Sequence, residues 1–389
     1  MNLSNAQAES SLRLHKQEAT DMTDDNISRR NFLAGLATTG AAATFVEAQT
    51  PGNSGNPVVV ASHPVVESKP GEEVIKIVCA EKLTPAETEQ IRSAGRNIAL
   101  RMLSNRSELK NHAADAEVIL GVVDRETMMA AKNLKWVQTW AAGVESLPKE
   151  LMEHPCALTN MQRVFAPVIA ETAIGLLLSL TRGLTQDSIP AFKERKWKAS
   201  TVPLEDLYRK TIGIVGMGGI GSETARRLHY GFEMRVLATD AKPIPKPAFV
   251  AELREPGWLM EMVPQVDVLM SAAPLTKETR QMFNESVFRK MKPTAYFINV
   301  SRGGLVDRDA LVKALKEKWI RGAGLDVASP EPLPTESPLW DCPNLVITPH
   351  NSGNAPIRQV RLMALVAENV RRYSNGLPLL NVVDKARGY

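Results

Sequence analysis

Cysteine is scarce. Cys79, Cys156 and Cys342 are the only three among 389 residues. They lie far apart, so the chain has no C-x-x-C redox motif and no zinc-ligand spacing, and no metal site is expected. One disulfide is arithmetically possible; a disulfide framework is not. Clustered positive charge is also missing. Lys and Arg total 47 against 43 Asp and Glu, leaving a net charge of +4 spread along the chain. That argues against a nucleic-acid partner, which calls for a concentrated basic patch. No apolar run reaches the roughly 20 residues of a permanent membrane span. The run from Phe32 to Phe45 is diluted by Gly, Ala and Thr, and the one from Ala166 to Leu184 is interrupted by Glu171 and Arg182. What remains is ordinary globular composition, 44% apolar and 23% charged, enough for two domains with separate cores.

The N-terminus has its own pattern. "SRRNFL" places Arg29 and Arg30 just before the apolar run, and "Val46-Glu47-Ala48" is a passable small-x-small cleavage site. Together they resemble a twin-arginine (Tat) signal, read here as residues 1–48. Residues 49–72, rich in Pro, Gly and Ser, read as a flexible linker. The expectation is export of a folded protein by the Tat machinery to the periplasm. An uncleaved signal kept as a membrane anchor is a second possibility. An ordinary amphipathic helix over 31–45 is a third, although no 3.6-residue apolar stripe supports it. Folding completed in the reducing cytoplasm would account for an exported chain with so few cysteines.

From Val74 onward, strand and helix patterns alternate. "VIKIVCA", "EVILGVV" and "KWVQTWA" are short apolar strand candidates, and "PAETEQIRSAG" is a helix opened by Pro and closed by Gly. "APVIAETAIGLLLSLTRGL" is a long, buried helix. A second series runs through "TIGIVGMGGIGSETARRL", "RVLATD", "VDVLMSAAP", "AYFINV", "GAGLDV" and "NLVITPH". It ends in the helix "PIRQVRLMALVAENVRRYSNG", closed by Asn375-Gly376. Such alternation implies parallel βαβ units. The reading is an α/β protein of two doubly wound, Rossmann-like or flavodoxin-like parallel-sheet domains. A cofactor domain over 170–353 is inserted into a substrate domain built from 73–169 and 354–389.

Within "GIVGMGGIG", Gly216, Gly218 and Gly221 form G-x-G-x-x-G directly after a strand and open a helix. The first glycine permits a tight turn, the second lets backbone approach a pyrophosphate, and the third lets helix and strand pack closely. The helix N-terminus then offers free N–H groups and a positive dipole end to the phosphates. Asp240 closes the next strand, 19 residues after Gly221. A carboxylate there accepts hydrogen bonds from ribose hydroxyls and repels a 2′-phosphate, which favours NAD over NADP. Lys242 nearby could tolerate the phosphate.

Three further groups follow successive strands: Arg302 in "NVSRGGLVD", Glu331 in "LDVASPEPLP" and His350 in "TPHNSG". Taken singly, each has an ordinary structural explanation. Together, past the ends of strands of one parallel sheet, they suit reduction of a 2-oxo acid. Arg holds a carboxylate through two parallel N–H bonds. A histidine, which titrates near neutrality, can protonate the carbonyl oxygen as hydride reaches the carbon, and an acidic partner on its far ring nitrogen fixes the tautomer.

With these motifs in hand, the chain resembles the D-isomer-specific 2-hydroxyacid dehydrogenases, the family of glyoxylate/hydroxypyruvate reductases and phosphoglycerate dehydrogenases. The likeness covers roughly 74–389 and rests on "GMGGIG", "AAPLTKET", "INVSRGGLVD", "GAGLDVASPEPLP", "ITPHNSG" and "NVVDKARGY". The resemblance implies that Arg302 binds and polarises substrate, Glu331 partners the histidine, and His350 is the acid/base. It implies that Gly219 and Ile220 lie against the pyrophosphate, Pro274 on the adenine side, Val300 in the cofactor cleft and Asp326 at the nicotinamide carboxamide. "AAGVESLP" resembles a loop whose Gly143 and Val144 amides hold the substrate carboxylate. A homodimer formed through the cofactor domains is likewise implied. The chain departs from the family at Glu145, where Asp is usual, and at Arg163, where Gly is common. It departs also at Trp140, which is bulkier than usual and reads best as a packed core aromatic. Export is the largest departure, since the family is usually cytoplasmic. It raises the idea that the enzyme folds around its dinucleotide and carries it out. A dinucleotide-sensing binding protein on the same fold, like the C-terminal-binding corepressors, is the alternative; export and the complete Arg302, Glu331 and His350 set argue for turnover.

Overall fold

The computed structural model describes residues 73–389. The arginine pair, the apolar run 31–45 and the linker 49–72 lie outside the described residues. The first sheet contains β1 (Ile75–Cys79), β2 (Ile98–Met102), β3 (Val118–Leu120), β4 (Trp136–Gln138) and β5 (Ala157–Thr159), in the order β2-β1-β3-β4-β5. Every pairing is parallel. β3 and β4 are buried at every position, as strands covered on both faces must be. The helix Pro85–Arg92 starts at Thr84, whose side chain accepts the Glu87 N–H while Glu87 reaches back to the Thr84 N–H, a complete capping box.

The second sheet contains β6 (Thr211–Val215), β7 (Arg235–Thr239), β8 (Glu252–Arg254), β9 (Val268–Ser271), β10 (Tyr296–Asn299), β11 (Gly322–Leu325) and β12 (Leu345–Ile347). It is parallel throughout, in the order β12-β11-β10-β9-β6-β7-β8. The chain therefore winds outward from β6 in one direction and then, from β9, in the other. The crevice between β6 and β9 is the topological switch point at which open α/β sheets bind ligands.

The helix Ala166–Thr181 buries Ala173, Leu176, Leu177 and Leu180 in the core of the second sheet. It packs so closely that a β-carbon at Gly324 of β11 would come within 2.9 Å of Leu176. The helix Arg358–Ser374 lies instead on the first sheet, burying Leu362, Met363, Val366, Val370 and Tyr373 with β1, β3 and β4 residues. Tyr373 stacks on Trp136 at 5.3 Å and donates its hydroxyl to Glu117 at 2.7 Å. Gly376, at φ 63°, follows the helix in the left-handed conformation that ends helices. Among the described residues no single helix is long and apolar enough to cross a membrane. The three cysteines are all unpaired.

Three strands went unrecognised in the sequence: β2, β5 and β8. Each is the outermost strand of its sheet. β2 alternates partly buried and exposed residues, β5 has only three residues, and β8 (Glu-Leu-Arg) buries none fully. Edge strands need no continuous apolar run, so the signal that marked their neighbours is missing.

Candidate active site

Every cofactor and catalytic residue expected of the second series follows the C-terminal end of one of its strands. In spatial order, His350 follows β12, Asp326 and Glu331 follow β11, Val300 and Arg302 follow β10, and Pro274 follows β9. Gly216 to Gly221 follow β6, and Asp240 follows β7. The acid–base groups thus gather at one end of the edge and the phosphate loop lies at its middle.

The phosphate loop fits a dinucleotide. Gly216 has φ 96°, and a β-carbon there would stand 2.8 Å from the Ala272 carbonyl and the Ala273 nitrogen. A β-carbon at Gly221 would overlap the Gly216 carbonyl oxygen, whereas at Gly218 it would enter open space. The loop is therefore tight beneath and open above. Gly219 and Ile220 begin the helix Gly219–Phe232, whose first amides have no intrahelical acceptor and can meet phosphate oxygens. Asp240 accepts the Met217 N–H at 2.7 Å and the Lys242 N–H at 2.8 Å, so it braces the loop.

Two groups reach this end from elsewhere in the chain: Arg163, noted above as a departure from the family, and Tyr389, which no motif reveals. Arg163, at φ 68°, packs its Cα where a β-carbon on Gly219 would come within 3.0 Å. Burial pulls its guanidinium below the usual range, against the opposing charges of Glu223 and Asp240. Its place is thus beside the phosphate loop. Tyr389, the last residue, lies with its ring 4.4 Å from the Lys242 ammonium. The tail that carries it is tied to the first sheet, where Lys385 donates to the carbonyls of Leu151, His154 and Cys156 at 2.9, 2.6 and 2.7 Å. No spacing or period in "NVVDKARGY" marks this docking. Trp140 is partly buried against the first-sheet core, as a packed core aromatic would be.

His350 and Glu331 meet directly, with Nδ1 of the ring 2.7 Å from Oε2. The other carboxylate oxygen accepts the Ala328 N–H at 2.9 Å, which sets the carboxylate's orientation. His350 sits at φ 49°, a conformation that costs a non-glycine residue about 1–2 kcal/mol. Asp326 holds it there. This fully buried carboxylate accepts the Thr348 hydroxyl at 2.6 Å and the Asn351 and Ser352 N–H groups at 3.2 Å. Its backbone carbonyl accepts the His350 N–H at 2.8 Å. Residues 348–352 are thus fastened to the end of β11 at four points.

Arg302 is positioned by buried polar groups that motif reading passed over. Asn299 donates to the Arg302 carbonyl at 2.9 Å and accepts the Ser301 N–H and hydroxyl at 3.1 and 2.9 Å, and Ser301 meets Ser271 at 2.8 Å. Gly303 lies against the backbone of Ala328, so the Arg302 and Glu331 loops pack together. The guanidinium then crosses to the first sheet, where its Nε donates to Glu145 in the loop after β4. A β-carbon on Gly143 would overlap it. Val144 is buried, and Asn160 braces the loop by donating to the Ala142 carbonyl at 2.6 Å. Arg302 therefore meets the Gly143 loop of the first sheet, and the loop that follows it packs on the one that leads to Glu331 and its His350 partner. These groups can bind an anion, orient it and supply a proton.

Comparison with known proteins bears on the family and the fold. Residues 174–352 match the model of the D-isomer specific 2-hydroxyacid dehydrogenase NAD binding domain. The glyoxylate reductase of Korarchaeum cryptofilum is 36% identical over 283 residues, 71% of this chain and 84% of that protein. The human glyoxylate reductase/hydroxypyruvate reductase is 38% identical over 274 residues, 67% of this chain and 82% of that protein. Among solved structures, a D-isomer specific 2-hydroxyacid dehydrogenase family protein from Aeromonas salmonicida superposes with a TM-score of 0.69 at 29% identity, over 80% of this chain and 99% of that one. An NADPH-dependent glyoxylate/hydroxypyruvate reductase from Sinorhizobium meliloti, in complex with NADP and sulfate, gives 0.67 at 26% identity, over 81% and 100%. The chain belongs to the D-isomer-specific 2-hydroxyacid dehydrogenase family and is an NAD(P)-dependent dehydrogenase of that family.

Proposed function

We propose that the protein reduces a small 2-oxo acid of the glyoxylate or hydroxypyruvate kind to the D-2-hydroxy acid, preferring NAD to NADP as cofactor. The observation that carries this reading is the His350–Glu331 pair at 2.7 Å, with Glu331 on the loop of Ala328, against which the Arg302 loop packs at Gly303. When bound, the dinucleotide supplies the hydride. Arg302 binds the substrate carboxylate with the amides of Gly143 and Val144 and draws electron density from the neighbouring carbonyl. His350 gives the proton on its exposed ring nitrogen to the carbonyl oxygen, while Glu331 holds the other nitrogen and stabilises the charged ring. Gly216, Gly218, Gly219, Ile220 and Gly221 receive the pyrophosphate, with Pro274 and Val300 lining the cleft. The negative charge of Asp240 favours NAD. Arg163 and Lys242 beside it temper that preference and agree with the NADPH named for the Sinorhizobium relative. A screen of 2-oxo acids against NADH and NADPH tests the reading. His350→Ala should lower kcat by about 10²–10⁴ while dinucleotide affinity holds. A variant that keeps its turnover would refute the assignment of His350, and a wild type that binds the dinucleotide without turning over any 2-oxo acid would favour a sensor.

Two further parts of the proposal concern assembly and address. Phe192 and Trp197 are 83% and 105% exposed, with Ile189 and Leu204 also exposed in the same stretch. An apolar surface of this kind supports a homodimer. Light scattering should report twice the chain mass for the wild type and a shift toward monomer for Trp197→Glu; a monomeric wild type would exclude it. The Arg29-Arg30 segment supports Tat export with the dinucleotide already bound. Denaturing the exported protein should release a nicotinamide dinucleotide.

A further inference from the structure

Two of the donors assigned to a substrate carboxylate, Arg302 and the Val144 amide, are already in use. Glu145 turns its side chain back over its own loop, and Nε of Arg302 donates to it. Both Glu145 oxygens and the Arg302 guanidinium fill the volume that a β-carbon on Gly143 would claim. Burial pushes the Glu145 carboxyl up. The charge and hydrogen bond of Arg302, with the Glu145 and Val144 amides, outweigh that and hold it below the usual carboxylate range. The Arg302 guanidinium and the Val144 amide are among the donors assigned above to the substrate.

We propose that Glu145 is an internal competitor: its carboxylate occupies the substrate-carboxylate position in the resting enzyme, and a 2-oxo acid binds by displacing it from Arg302. The inference rests on the function proposed above and narrows its substrate class. An aspartate, one carbon shorter, reaches less far toward Arg302. The Glu145 side chain is 37% exposed and that of Arg302 29%, so the pair lies at the rim of the cleft and Glu145 can swing into solvent when displaced. Once displaced, it stays beside the distal end of the substrate as a negative charge. It then repels a second carboxylate or a phosphate there and selects small monoanionic 2-oxo acids over dianionic ones.

The test compares the full chain with Glu145→Gln and Glu145→Asp. Calorimetry with oxamate in the presence of NADH reads occupation of the carboxylate site without turnover. Steady-state kinetics with glyoxylate and with oxaloacetate separate KM from kcat. Glu145→Gln should bind oxamate about two- to fivefold more tightly, the range expected for releasing a partly exposed ion pair. Its glyoxylate KM should fall by a similar factor, kcat should not fall, and oxaloacetate should gain more than glyoxylate. Glu145→Asp should lie between, and it serves if the glutamine form does not fold. Oxamate binding that is unchanged, weaker or absent in both forms overturns the proposal. Absence of turnover with every 2-oxo acid in wild type and variants alike would instead fell the functional reading, and the oxamate titration would still decide the role of Glu145.

Discussion

Replacing Glu331 by Gln tests the acid–base assignment most sharply, because the structure separates its effect on rate from its effect on stability. Glu331 touches His350 at 2.7 Å and the Ala328 N–H at 2.9 Å. The two side chains of the pair are 46% and 36% exposed, so solvent screens it, and its contribution to folding is at most about 1 kcal/mol. Glutamine has nearly the same shape and can still accept from Ala328. What it lacks is the negative charge that stabilises a protonated ring, and its amide can turn an N–H toward Nδ1. Either way the ring loses the partner that orients it for proton transfer. A positioned acid–base group contributes about 10²–10⁴ in rate, and losing its orienting carboxylate should remove on the order of 10² of it. The expected result is a kcat for NADH-dependent glyoxylate reduction lower by about that factor. Dinucleotide affinity should hold, and Tm should fall by no more than about 2–4 °C. A kcat within about threefold of wild type would refute the reasoning. So would a rate loss accompanied by a stability loss above about 2 kcal/mol, since Glu331 would then be acting as a structural residue.

Asp240→Ser removes a like charge from the ribose end and should raise the kcat/KM ratio of NADPH over NADH by about tenfold, read from initial rates with each cofactor. Gly216→Ala forces a side chain into a backbone at φ 96° and against Ala272; it should abolish dinucleotide binding in a fluorescence titration and lower stability by about 3 kcal/mol or more. Burial pushes the Glu368 carboxyl up, but Arg371 and Arg372 together hold it below the usual range. Its folded pKa is thus depressed, so its stabilisation is complete above the unfolded value of about 4.3 and is lost as pH falls through the lower folded value. Glu368→Gln, at a side chain only 11% exposed, should cost about 1–2 kcal/mol at neutral pH in urea unfolding, and the gap to wild type should close in acid.

Local order accounts for what could be read without coordinates. The strand, glycine loop and helix over 211–232 are contiguous, so residues a few positions apart specify their own geometry and the phosphate site is legible. Arg302, Glu331 and His350 were legible for a related reason: each follows an apolar strand of the second series, and parallel strands deliver their C-terminal ends to one edge. The edge strands β2, β5 and β8 were not legible, because one-sided cover demands no apolar run.

The amino-acid order by itself determined the alternating α/β architecture and the glycine loop, and it singled out the three groups of the candidate acid–base and anion site, because short-range steric and periodic rules act within a few residues. Only the tertiary structure decided that Glu145 closes on Arg302, 157 residues away. The same holds for Arg163 pressing on Gly219, Tyr389 reaching Lys242, and Asp326 fastening the segment that carries His350. Those contacts join loops from different strands and different sheets. Which loops face one another is set by how two sheets pack across a cleft, and no local period in the chain encodes that.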